Sequence, residues 1–283
     1  MAEAGGPSPA AEAWLAPFRR ACDRIAAEVR ALPPARRAEA LGRGAGGDVT
    51  LLVDRVAEDA MVAELEAFGR PLTLISEELG RLEIAGGGPP LVVLDPIDGS
   101  VNAKRGFPGF ATAVALAEGR TMGDVTVALV RDLAAGEEFV AERGRGAWLD
   151  GAPLAPHPPL DGRLELLMVE GASPALVERA ARHLDGRVRR LRALGSIALS
   201  LCHTAAGRAD AMACLVRGRS VDVAAAQLVA REAGLLVGAP AAEAFPAAPL
   251  DVTTRFHVLG ARDEATLELL SRAVAPSATA RSG

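Results

Sequence analysis

Leu91-Val92-Val93-Leu94-Asp95-Pro96-Ile97-Asp98-Gly99-Ser100-Val101-Asn102 is the stretch whose reading decides the fold. Four apolar residues run into two aspartates and then a Gly-Ser pair. A short apolar run bounded by turn signals reads as a buried strand. Pro96 cannot donate to a ladder, which predicts that the strand stops at Asp95. Asp95 and Asp98 then lie on the turn beyond it. Gly99 and Ser100 place backbone N–H groups at the start of a helix, where a phosphate is well received. Two hard carboxylates beside such a helix start suit Mg²⁺-assisted phosphate chemistry. Asp-Pro and Asp-Gly are also ordinary turn punctuation, so a plain turn with an N-cap fits the same letters. Carboxylates at the ends of other predicted elements favour the metal reading.

Composition narrows the classes. A chain of 283 residues can bury a large core, as one large domain or two moderate ones. Half the residues are hydrophobic and the mean hydropathy is +0.21, yet no run approaches the ~20 apolar residues of a spanning helix. The N-terminus does not read as a signal peptide. A soluble, cytoplasmic protein without a membrane partner is expected. The net charge of −5 offers no basic field for nucleic acid. Cys22, Cys202 and Cys214 are widely spaced and odd in number, and read as small buried hydrophobes rather than a disulfide or zinc pattern. The four histidines are scattered, and Lys104 is the only lysine.

Along the chain, Trp14, Phe18, Ile25, Val29 and Leu32 recur at helical spacing and predict a helix over 11–32, ended by Pro33-Pro34. Residues 1–10 read as disordered. Residues 41–48 read as a flexible glycine loop, and Asp54 as the N-cap of a helix running to Phe68. A strand over 72–76 leads into Glu77-Glu78, and 80–90 reads as a loop. Strands follow over 110–118, 124–130 and 137–142, with Arg143 and Arg145 on a solvated hairpin. Proline-rich 153–161 marks a boundary, so that residues 1–160 form one half and 161–283 the other. The second half reads as strand 164–169, helix 174–184, strand 188–191, helix 196–206, strand 209–214, helix 222–233, strand 256–259 and helix 264–274. This alternation predicts an α/β architecture.

Asp95-Pro96-Ile97-Asp98-Gly99-Ser100-Val101-Asn102 resembles the signature of the inositol monophosphatase family of metal-dependent phosphomonoesterases. Asp222-Val223-Ala224-Ala225-Ala226-Gln227-Leu228-Val229-Ala230-Arg231-Glu232-Ala233-Gly234 resembles its second element. The resemblance covers about 48–260, with details closest to archaeal-type members that also act on fructose 1,6-bisphosphate. It implies a layered αβαβα sandwich of the inositol monophosphatase/fructose-bisphosphatase type. It implies Glu77, Asp95, Asp98, Asp222 and the Ile97 carbonyl as ligands for two or three Mg²⁺, with Asp54 and Ser100 orienting the attacking water. Gly99 and Ser100 would hold phosphate oxygens. Arg192, Gly195, Ser196 and Asp222 would border the alcohol, although Arg192 could instead pair with a carboxylate.

The implied activity is hydrolysis of inositol monophosphate or a sugar phosphate by metal-activated water, and a homodimer is expected. Histidinol phosphate and 3′-phosphoadenosine 5′-phosphate are further candidate substrates; a catalytically weak protein-binding member is the alternative class. Departures from the pattern are Val221 in place of Trp, Leu235 in place of the second glycine, and Leu215 where many members carry an acid that grips inositol hydroxyls. Repulsion among the carboxylates predicts that Asp98→Asn leaves the metal-free protein no less stable.

Overall fold

The computed structural model describes residues 5–158, 160, 162–238 and 245–274. Ser8 accepts a hydrogen bond from Ala11 N, and Pro9 occupies the first turn. Helix α1 (Pro9–Ala31) therefore starts two residues before its apolar stripe, inside the stretch expected to be disordered. After a short α2 (Pro34–Arg37), strands β1 (Ala40–Arg43) and β2 (Val49–Leu51) pair antiparallel. The glycine loop is thus the tip of a hairpin. Helix α3 spans Leu52–Phe68.

The first large sheet is built from β3 (Leu72–Ser76), β4 (Gly80–Ile84), β5 (Leu91–Asp98), β6 (Ala111–Ala117), β7 (Val125–Asp132), β8 (Glu138–Glu142), β9 (Gly146–Leu149) and β10 (Ala152–Pro153), in the order β10-β9-β8-β7-β6-β5-β3-β4. Two expectations change here. Residues 80–84 form an edge strand rather than part of a loop, with Arg81 and Glu83 exposed, as suits an edge. Strand β5 does not stop at Asp95. Asp95 opposes Ala113 and Asp98 opposes Ala111, so β5 carries one extra residue in a bulge at Pro96-Ile97. The bulge is where a strand tolerates the missing proline N–H, and the Thr112 hydroxyl donates to the Pro96 carbonyl there (2.9 Å).

The second sheet comprises β11 (Leu164–Glu170), β12 (Val188–Arg192), β13 (Ala211–Cys214), β15 (Leu236–Gly238) and β17 (Leu259–Ala261), ordered β12-β11-β13-β17-β15. Strands β14 (Gly218–Arg219) and β16 (Arg255–Phe256) form a separate pair. The helices are α4 (Ser100–Arg105), α5 (Pro174–Leu184), α6 (Ile197–Ala205), α7 (Ser220–Glu232) and α8 (Glu264–Val274). The strands of the eight-stranded sheet precede residue 160 and those of the five-stranded sheet follow it. Of the proline-rich boundary, residues 159 and 161 lie outside the described residues.

The layers follow from which faces are apolar. Helices α1 and α3 cover one face of the first sheet, α6 and α7 lie between the two sheets, and α5 and α8 cover the outer face of the second. The result is an αβαβα sandwich. In α7 every residue from Ser220 to Ala230 is buried, and the run Ala224-Ala225-Ala226 keeps the helix thin where it is enclosed. The three cysteines are buried and unpaired. Among the described residues no helix is long and apolar enough to cross a membrane. Because the middle layer is close-packed on both sides, Ala225→Leu is expected to destabilise the protein by about 1–3 kcal/mol, read as a lower denaturant midpoint. A mutant as stable as the parent would show slack between the sheets.

Candidate active site

The bulged end of β5, the N-termini of α3, α4 and α7, the end of β11 and the hairpin tip meet around a cavity of about 610 Å³. Its lining includes Asp48, Asp54, Glu77, Asp95, Ile97, Asp98, Gly99, Ser100, Lys104, Glu170, Gly195, Arg219 and Asp222. Carboxylate oxygens of Glu77, Asp95 and Asp222 converge to within 4.8 Å of one another, which makes these three a group able to hold a metal ion. Asp95, Asp98 and Asp222 are buried.

Two of the aspartates reach the cavity by the same local device. Asp54 and Asp222 are each the third residue of a helix, and each accepts from the backbone N–H of the residue before that helix. The donors are Leu51 N to Asp54 (3.0 Å) and Arg219 N to Asp222 (2.8 Å). This is the backbone half of a capping box, and it corrects the assignment of Asp54 as the N-cap itself. Asp54 Oδ1 is buried without a hydrogen-bond partner among the described residues, in a side chain that lines the cavity. The Ser100 hydroxyl, which also lines the cavity, donates to the Ile97 carbonyl (3.0 Å).

Asp98 sits differently from its neighbours. It accepts from the Ser196 hydroxyl, Ala198 N (2.7 Å) and Ile197 N (3.3 Å) at the start of α6. Its carboxylate therefore ties the first sheet to the middle helix layer. Ser196, which also caps α6 by accepting from Leu199 N, is 1% exposed and does not line the cavity, whereas Gly195 does. Arg192 ends β12 exposed, donates to the Leu191 carbonyl and is absent from the lining. Leu215 is buried in the outer apolar cluster. Gly99 has φ +96°, and a Cβ there would meet the Gly109 carbonyl at 2.9 Å, so only glycine lets these loops cross.

Two contributors escaped the sequence reading. Glu170 ends β11 and accepts from Leu194 N (3.0 Å), Gly195 N (2.9 Å) and the Ser200 hydroxyl (2.6 Å), fixing the loop that carries Gly195. Its signal was the same as that of Glu77, an acid leaving an apolar strand. Arg219 places its guanidinium among Glu77, Asp222 and Asp48. Its signal was an Arg-x-x-Asp at a helix start.

Burial dominates the electrostatics. It pushes Glu77 up to about 8, Asp98 to about 7 and Asp54 to about 6, and holds Asp95 and Asp222 above the usual carboxylate range. Mutual repulsion adds to the rise, while Arg219 opposes it at Glu77, Asp95 and Asp222. An all-oxygen, strongly acidic and buried donor set fits a hard divalent cation.

Residues 18–277 match the inositol monophosphatase family. The chain belongs to that family. A fructose-1,6-bisphosphatase/inositol-1-monophosphatase of Methanothermobacter thermautotrophicus is 37% identical over 211 residues, covering 70% of this chain and 74% of the relative. The Nus factor SuhB of Vibrio cholerae is 33% identical, over 77% of this chain and 80% of its own length. The solved extragenic suppressor protein suhB of Bartonella henselae superimposes with a TM-score of 0.75 at 22% identity, covering 95% of this chain and 100% of that one, a likeness of fold.

Within this site, the hydrogen bonds of Asp98 reverse the sign expected from repulsion alone. Asparagine would turn an amide NH₂ toward N–H and O–H donors. Asp98→Asn is expected to cost about 1–3 kcal/mol in the metal-free protein, measured by denaturant melts in chelator. Unchanged stability would mean that α6 does not depend on the carboxylate. The pH dependence follows from the raised values. A carboxyl whose folded pKa is raised contributes stability below its unfolded pKa and loses it as pH rises through the folded value. In chelator the melting temperature should therefore fall from the ordinary carboxylate range up to about pH 8. A divalent cation that occupies the cluster would favour the deprotonated carboxylates and should remove most of that fall. A flat profile in chelator would contradict the buried cluster.

Proposed function

We propose that this family member is a Mg²⁺-dependent phosphomonoesterase that hydrolyses inositol monophosphate or a sugar phosphate such as fructose 1,6-bisphosphate. The observation that carries the reading is the convergence of Glu77, Asp95 and Asp222 on the wall of a cavity that Asp54 lines with an unpartnered oxygen. Bound there, Mg²⁺ would neutralise the phosphate dianion and lower the pKa of a water.

The chain's own residues do the rest. Glu77, Asp95, Asp222 and the bulged segment at Ile97 hold the cation, with Asp98 alongside. Asp54, its carboxyl pushed up to about 6 by burial, would accept the proton of the attacking water while Ser100 orients it. Gly99 and Ser100 hold phosphate oxygens, and Gly195, on the loop that Glu170 fixes, borders the alcohol. Leu215 leaves no acid at the position that would grip inositol hydroxyls, which favours a broader choice of sugar phosphates. Arg192 enters no step, because it does not line the cavity.

A second reading, a member that acts by binding protein, is favoured by the Vibrio cholerae relative named as a Nus factor. An intact cluster of buried acids weighs against lost catalysis, since such groups are costly to bury.

The test is phosphate release from inositol monophosphate, fructose 1,6-bisphosphate, histidinol phosphate and 3′-phosphoadenosine 5′-phosphate. Turnover should vanish in excess chelator and return with Mg²⁺, with Ca²⁺ a poor substitute because of its looser geometry. Asp54→Asn should lower kcat by about 10²–10⁴ in a folded protein. Full turnover in chelator, or none on the whole panel with Mg²⁺ bound, would overturn the reading.

A further inference from the structure

Arg219 is 7% exposed, and each of its three guanidinium nitrogens donates to a carboxylate. Nε faces Asp222 (3.3 Å), one terminal nitrogen donates to Glu77, and the other donates to Asp48 (3.0 Å). Asp48 stands at the foot of β2, in the hairpin whose tip lies against the strand end that delivers Glu77. Gly46 N donates to the Glu77 carbonyl and Ala45 N to the Glu78 carbonyl, both at 2.9 Å. A Cβ on Gly46 would meet the guanidinium at 2.5 Å, so the hairpin backbone rests on Arg219. Arg255 adds a contact to the Gly46 carbonyl (3.4 Å).

A guanidinium cannot leave such a cluster by deprotonation. It therefore competes with any incoming cation for Glu77 and Asp222, two of the three converging carboxylates. When a metal claims those two, Asp48 is the partner left to Arg219. We propose that Arg219 is a built-in counter-cation that sets the affinity of the cluster for its metal and, through Asp48, ties the β1–β2 hairpin to metal occupancy. The proposal rests on the metal reading above. It adds a residue that touches neither the reacting phosphate nor the metal and acts through Glu77, Asp222 and Asp48.

Mg²⁺ binding to the full-length protein, by calorimetric titration and by thermal shift, provides the test. Arg219→Gln removes the charge and keeps a hydrogen-bonding side chain. It should lower the metal-free melting temperature and tighten Mg²⁺ binding by about fivefold or more, on the scale of a typical coupling between sites. Arg219→Lys keeps the charge and should bind Mg²⁺ close to the parent affinity, which separates charge from packing. Hydrogen exchange gives an arm that does not need the arginine variants to fold. In the parent, Mg²⁺ should slow exchange of the Gly44, Ala45 and Gly46 amides, and Asp48→Asn should abolish most of that slowing. Unchanged or weaker Mg²⁺ binding in folded Arg219→Gln overturns the counter-cation role. Exchange at the hairpin indifferent to Mg²⁺ overturns the coupling. Absence of any Mg²⁺ binding by the parent would instead sink the metal reading on which both depend.

Discussion

Carboxylates that must be buried close together, yet remain available to a cation, are the constraint on which the rest of this structure depends. Glu77, Asp95, Asp98 and Asp222 cannot all ionise in a shared low-dielectric pocket without help. The fold supplies that help in a graded way. Asp54 and Asp222 are held by backbone N–H groups at the starts of α3 and α7, where the helix dipoles favour negative charge. Asp98 is held by the start of α6. Arg219 contributes a full positive charge. These devices supply hydrogen bonds and a single full positive charge to several carboxylates and leave the cluster under-neutralised as a whole, which is the condition for attracting a divalent ion.

That arrangement makes the site inseparable from the tertiary fold. Asp95 and Asp98 come from the bulge of β5, Glu77 from the end of β3, and Asp222 from α7 in the layer between the sheets. Asn102 reinforces the junction by donating to the Gly109 and Leu194 carbonyls at 2.8 and 2.7 Å. No one of these elements brings the three converging oxygens together by itself. They converge only when the second half of the chain packs its helices against the first sheet.

This dependence explains what could be read from the sequence and what could not. Helix α5 spans, and helix α8 starts at, the residues that apolar periodicity and the flanking proline or acid indicated, because those signals are local. The layered sandwich and its family followed from the motifs around Asp95 and Asp222, and the strand-end acids were legible as candidates. The bulge at Pro96 was not, since a proline ends a strand unless a neighbour supplies an irregular register, and that neighbour is β6. Edge strand β4 was lost to the glycines around it. Arg219 and Glu170 were missed for a different reason. A strand-end acid and an Arg-x-x-Asp marked their positions, but what they hold, Leu194 for Glu170 and Glu77 for Arg219, lies 24 and 142 residues away in the chain, and pairing across such distances cannot be read locally.

The same geometry separates two roles that one motif had seemed to give to every acid. Glu77, Asp95 and Asp222 converge, so on the proposed reading their loss would be felt first as lost cation binding. Asp98 has both oxygens engaged by α6, so its loss would be felt in the fold as well. Glu170 also has both oxygens engaged, by Leu194 N, Gly195 N and the Ser200 hydroxyl, and so fixes the loop that carries Gly195. An acidic residue in this cavity therefore cannot be assigned a role from its presence in the lining. What each oxygen is already bonded to decides whether it serves the ion, the helix or the loop.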